Sequence, residues 1–183
     1  MVHGRDNALA LCPEGTTVTD TDDAPTENVP PDDPFSLTGP WTHSDLSAFL
    51  DETVVPIRVS CHTPSGGLWM LSLWYRYEEG HLWCATGTDA DIVRFLRADP
   101  HVAFEISVNE PPYRGVRGQG TVTIEADPEK AVLRDLLERY LGGTDSTLAQ
   151  RLLSADREEV SLRIDPTTAA TWDYSDRMKD AVD

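Results

Sequence analysis

Arg58 is the first residue of this chain whose setting asks for chemistry. It sits in an otherwise apolar stretch, PIRVSC. A guanidinium there is costly to bury without an anion, either a carboxylate of the chain or an anionic ligand. Cys61, His62 and Cys84 are metal-ligating types, and adjacent strands would bring them near one another. Yet neighbours in a strand point to opposite faces, so Cys61 and His62 diverge, and no fourth ligand stands at a usual spacing. Trp74 and Trp83 suit a core, an interface or a flat aromatic ligand, and Thr86 either caps the helix that follows or binds. Arg114 and Arg117, in YRGVRGQG, are either solvated or anion-binding. G-x-S-x-G, P-loop and G-x-G-x-x-G motifs are all missing, which leaves serine hydrolase, nucleoside triphosphatase and dinucleotide-fold readings without support. No side chain stands out as acid, base or nucleophile, a pattern that agrees with chemistry carried by a cofactor.

The elements that must position these residues centre on Arg58 to Asp99. Three strands in succession and then a short helix are expected, reversing at Pro64-Ser65-Gly66-Gly67 and at Glu78-Glu79-Gly80. The middle strand, Leu68 to Tyr77, has two apolar faces. One carries Trp69, Leu71, Leu73, Tyr75 and Tyr77, and the other Leu68, Met70, Ser72, Trp74 and Arg76. An antiparallel strand usually leaves one face in water, so a helix, a partner subunit or an aromatic ligand must cover the second.

Around this centre, residues 1–40 read as a disordered acidic, proline-rich tail containing DTDDAPTENVPPDDP, with an ordered domain over 41–178 and a short tail over 179–183. His3 and Cys12 fall in the first tail and receive no role. Thr42 or Ser44 caps a helix carrying Leu46, Phe49 and Leu50. Asp89 is the expected cap of a helix over Ala90–Ala98. Val102, Phe104, Ile106 and Val108 alternate along a strand. Another runs from about Val116 to Ala126, where Gly118 and Gly120 allow curvature or close approach to a ligand. Asp127-Pro128 opens a helix that ends at Gly142-Gly143. A second helix starts at Thr144 or Asp145, and strands Glu159–Ile164 and Thr168–Tyr174 follow. This is an α+β chain, mainly β, whose six to seven strands in hairpin order imply an antiparallel barrel.

Composition narrows the partners. Only 15 basic residues face 32 acidic ones, and just Lys130 and Lys179 are lysines. A formal charge of -17 repels nucleic acid and anionic lipid at ordinary salt. The same composition suits a halophilic protein, because in molar salt the screening length falls to roughly 3 Å. No stretch has the length of a membrane span and no signal peptide is visible, so the expected location is cytoplasmic. Three cysteines without C-x-x-C spacing read as reduced thiols.

The order of these motifs resembles the pyridoxamine 5'-phosphate oxidase-like proteins, the FMN-binding split barrels. The carriers are RVSC, LWMLSLWYRYEEGHLWCAT, FLRADPHVAFEI and YRGVRGQG, within residues 41 to 175. The resemblance implies a homodimeric split barrel, two FMN sites across the subunit interface and a small-molecule substrate. It implies flavin contacts from Arg58, Val59, Ser60 and Cys61 in the first strand, from Ser72, Leu73 and Trp74 along the ring, and from Thr86 at the end of the third strand. A late tryptophan from the other subunit maps onto Trp172. The family commonly holds the FMN phosphate with T-x-x-x-S-x-K, whereas this chain has TGTDADI, with Ala90 at the serine position and Ile92 at the lysine position. Asp89 and Asp91 stand beside them and oppose a phosphate. The expected substitutes are Thr88, Arg94, Arg58, Arg114 and Arg117. The alternative is a non-catalytic split barrel whose altered pocket takes a deazaflavin, haem or nothing.

Overall fold

Period-two alternation and short turns build most of this protein, and the computed structural model describes residues 34–181. The strands are β1 (Ser36–Thr38), β2 (Ile57–His62), β3 (Leu68–Leu73), β4 (Arg76–Glu78), β5 (His81–Gly87), β6 (His101–Ser107), β7 (Arg114–Ala126) and β8 (Glu159–Asp173). The helices are α1 (His43–Glu52), α2 (Asp91–Ala98), α3 (Ala131–Leu141) and α4 (Thr147–Leu152), with a 3-10 turn over Asp176–Ala181. The sheet order is β3-β2-β6-β7-β8-β5-β4, antiparallel throughout, and β1 lies parallel to β8.

The expected middle strand is two strands. Leu68–Leu73 pairs with β2, whereas Arg76–Glu78 pairs with β5 at the opposite end of the sheet. The chain crosses between them at Trp74-Tyr75, so the two ends of the sheet meet at a bend and the barrel is split there. Tyr75 turns fully inward at 0% exposure, and its hydroxyl lies 3.0 Å from the carbonyls of Leu50 and Thr53. Arg139 reaches the same place from α3, donating through Nη2 to Leu50 and Thr53 and through Nη1 to Asp51. A cation and a hydroxyl thus satisfy the orphan carbonyls at the end of α1. Tyr140 Oη accepts from the Tyr75 amide and donates to the Val55 carbonyl.

Other boundaries also moved. Phe35 is buried and β1 pairs with β8, so ordered structure begins before Trp41. The expected tail lies outside the described residues up to residue 33. The two last strands are one, because a register shift opposite Gln119 and Gly120 takes up Thr167 and carries the strand past Pro166, which cannot donate to the ladder. Gly118 and Gly120 approach β8 closely. A Cβ on Gly118 would stand 2.4 Å from the Thr168 carbonyl oxygen, and one on Gly120 would stand 2.5 Å from that of Asp165.

The caps follow local chemistry. Thr42 and Asp45 form a reciprocal capping box on α1. Ala90, not Asp89, is the N-cap of α2, and it offers no side-chain acceptor. Asp127 lies four residues before α3 yet its carboxylate accepts from the amides of Ala131 and Val132. Ser146 caps α4. Ile57, Val59, Cys61, Ile106, Leu162 and Ile164 point inward with the apolar faces of α1 and α2 to form the main core. Leu133, Leu137 and Ala149 form a second, smaller cluster beneath Trp74. Among the described residues, no helix is long and apolar enough to cross a membrane.

Candidate cofactor site

Strand parity sorts the expected contacts. Val59 and Cys61 face the core at 1% and 2% exposure, leaving Arg58 and Ser60 on the outer face of β2. Ser72, Arg58, Glu105 and Arg117 are successive register partners across β3, β2, β6 and β7. Arg58 takes its anion from within this row: it donates to Glu105 at 2.9 Å and to Asn109 at 2.8 Å. Arg117 sits over the ring of Trp172, 5.8 Å from its centroid. Trp172 lies against Gly115, where an added Cβ would come within 2.8 Å of the indole. Beside this row, Leu68 and Met70 are 77% and 65% exposed.

Ser72, Leu73 and Trp74 meet Thr86 in a cleft of about 290 Å³ between the end of β3 and β5. These two strands do not pair with each other; the bend at the seam brings them together. Leu133 and Leu136 of α3 and Leu152 of α4 form the apolar wall. Trp74 is held by stacking on Tyr140, with ring centroids 5.1 Å apart and planes at 11°. Arg157 and Glu159 close the polar end. The Glu159 carboxylate is 1% exposed; one oxygen takes the Arg157 guanidinium and the other has no hydrogen-bond partner among the described residues. A buried acceptor left in this state is suited to a donor from a ligand. Sequence reasoning missed Arg157 and Glu159, since an arginine and an acid at the start of a strand look like solvated residues.

Several expected contacts lie elsewhere. Ile92 is 1% exposed in the core, so the lysine position of the phosphate motif faces the barrel interior. Arg94 is exposed, paired with Asp91 at 2.7 Å and laid over Phe95. Arg114 stands at the far end of β7 in a small pocket with Phe49 and Asp173. Trp83 is flanked by Arg76 and Arg163 rather than by the cleft. Thr88 lines a second cleft of about 840 Å³ at the base of the sheet, to which Arg157 and Glu159 also contribute.

Neither described thiol is poised for chemistry. Burial pushes Cys84 up to about 12, and burial followed by the nearby Asp99 charge raises Cys61. Burial also raises Tyr75 well above the usual phenol range and raises Tyr140. Among the described residues, no three metal-ligating side chains converge, and neither cleft is lined by a histidine.

No family model and no curated protein matches the sequence. Solved structures do match. A conserved hypothetical protein from Mycobacterium tuberculosis is 22% identical, with a TM-score of 0.62 over 74% of this chain and 86% of that one. An F420 reductase is 24% identical, with a TM-score of 0.58 over 72% of this chain and 98% of that one. An FAD-binding protein from Mesorhizobium loti is 16% identical, with a TM-score of 0.51 over 70% and 92% of the two chains. The eight-stranded sheet, its order and these matches together give this chain the split-barrel fold of the pyridoxamine 5'-phosphate oxidase-like proteins.

Proposed function

We propose that the chain is a flavoprotein oxidoreductase that holds FMN in the cleft between β3 and β5. One observation carries the reading. Ser72, Leu73, Trp74 and Thr86 come from opposite ends of the sheet and line a single cleft. The donor set fits the cofactor: apolar walls for a flat ring, hydroxyls from Ser72 and Thr86, and one unpartnered oxygen on Glu159. When bound, the flavin supplies the electron or hydride transfer. Trp74, braced by Tyr140, would orient the ring, and Leu133, Leu136 and Leu152 would keep water from it. Glu159 would accept from a ring N–H or a ribityl hydroxyl.

Ser72 of the cleft shares the outer sheet face with Arg117, whose guanidinium lies over Trp172, and with exposed Leu68 and Met70. A second copy of the chain would cover that face and bring its own Arg117 and Trp172 towards the ring, which makes a homodimer the working form. A deazaflavin shares the ring outline and is the nearest alternative; haem is disfavoured because no histidine lines the cleft among the described residues. The visible spectrum of protein purified in molar salt tests the reading. FMN bands, and their release on denaturation, are expected. A colourless protein that takes up no FMN on titration refutes it, and deazaflavin bands reassign the cofactor.

A further inference from the structure

The cleft at the base of the sheet is out of character for this chain. Only 15 of 183 residues are basic, yet four of them line this one cleft: Arg97 from α2, Lys130 and Arg134 from the start of α3, and Arg157 before β8. They outnumber the three carboxylates there, and Glu159, one of the three, is already engaged by Arg157. In a protein of charge -17 a locally cationic cleft of about 840 Å³ would concentrate anions.

The cations are also short of acceptors. Lys130 is 8% exposed, and Nζ donates to the Ser154 carbonyl at 2.6 Å. An ammonium has three protons to donate, and the described residues give it this one acceptor. Arg97 has none among the described residues, and Arg134 reaches only the Glu129 carbonyl, at 3.4 Å. A buried ammonium with one neutral partner is costly unless an anion completes it. The cleft adjoins the ring cleft, since Arg157 and Glu159 line both.

We infer that this basic cleft is a subsite for a phosphate-bearing group, the tail of the cofactor whose ring occupies the adjoining cleft. The inference rests on the flavin reading above and deepens it. Arg157 stands at the junction, Lys130 supplies the buried charge, and Arg97 and Arg134 supply the exposed ones. This assembly stands in for the grip that Ala90 and Ile92 cannot provide at α2.

The test compares FMN with riboflavin, which lacks the phosphate, and adds inorganic pyrophosphate as a probe of the cleft alone. Salt is kept at the lowest level that maintains the fold, because screening weakens exposed charges. Wild type is expected to hold FMN at least about tenfold more tightly than riboflavin, a difference of about 1.4 kcal/mol. In the double variant R97S/R134S the ratio falls towards one, and in R97K/R134K it returns. Pyrophosphate displaces FMN from wild type. An FMN-to-riboflavin ratio that is the same in wild type and R97S/R134S overturns the inference and leaves the flavin reading standing. If neither flavin binds but calorimetry shows pyrophosphate binding that R97S/R134S loses, the flavin reading fails and the anion subsite stands as a site for a free phosphorylated compound. If neither flavin nor pyrophosphate binds, both fall.

Discussion

The seam at Trp74-Tyr75 and the outer face of the β2–β3 hairpin are built from one continuous apolar sequence, and they end in opposite states. At the seam, polar groups that the bend buries are answered: the Tyr75 hydroxyl, the Tyr75 amide and the last carbonyls of α1 have partners from three elements. A few residues earlier, Leu68 and Met70 stand largely in water beside the row of Ser72, Arg58, Glu105 and Arg117. Scattered apolar residues on a surface need no explanation, but two on one edge strand are the kind of surface that the proposed second copy would cover. The contrast is between polar groups answered within the fold and apolar side chains left in water, which the proposed second copy would cover.

The seam offers the largest way to break that contrast. Arg139→Met removes a cation from three helix-end carbonyls and should cost about 3 kcal/mol, since hydrogen bonds to charged groups contribute about 1.5–3 kcal/mol and do not add fully. Urea unfolding with an unchanged slope is the measurement. Arg139→Lys should recover only part of the loss, because an ammonium lacks the fork that spans Leu50, Asp51 and Thr53. A loss below about 0.5 kcal/mol for Arg139→Met would place the seam with ordinary surface.

At the outer face the expectation reverses. L68S/M70S should leave the chain folded but monomeric by sedimentation. The wild-type unfolding midpoint should rise with protein concentration, as it does for an associating chain, and the variant's should not. Concentration-independent unfolding of wild type would deny that a second copy covers this face.

The smallest effect is at the opposite end of α1. The Thr42 hydroxyl and then the Thr42 amide hold the Asp45 carboxyl below its ordinary value, with burial opposing weakly. A carboxyl lowered on folding contributes stability that is fully present above its unfolded value and lost as pH falls through the folded one. Asp45→Asn should therefore flatten the acid limb of the stability profile slightly without moving the neutral plateau by more than the cap itself. An acid limb identical in wild type and variant would show that the box contributes nothing.

The local pattern was legible where one rule acted alone. Val102, Phe104 and Ile106 alternate into the core as expected, Leu46, Phe49 and Leu50 form the buried stripe of α1, and Thr42 is one of the two expected caps. It was illegible where two rules competed. Leu68 to Tyr77 is apolar on both faces, so period two continues through the bend and cannot reveal it. Pro166 reads as the end of a strand, and the register shift that leaves Thr167 unpaired lets β8 pass through it. The cationic cleft was invisible because Arg97, Lys130, Arg134 and Arg157 come from three separate segments, each of which looks like an ordinary solvated helix end or turn.

Composition and periodicity alone determined the acidity and most of the elements with their buried faces, while the resemblance to the FMN-binding split barrels set Ala90 and Ile92 where that family has a serine and a lysine. These are properties of neighbours in the chain, and steric and hydrophobic patterns report them directly. Tertiary structure decided which strand ends meet, that Arg58 is answered by Glu105, and that Arg157 and Glu159 stand between an apolar cleft and a cationic one. Such meetings join residues tens of positions apart, and what selects them is the closing of the barrel at the seam, which no local window contains.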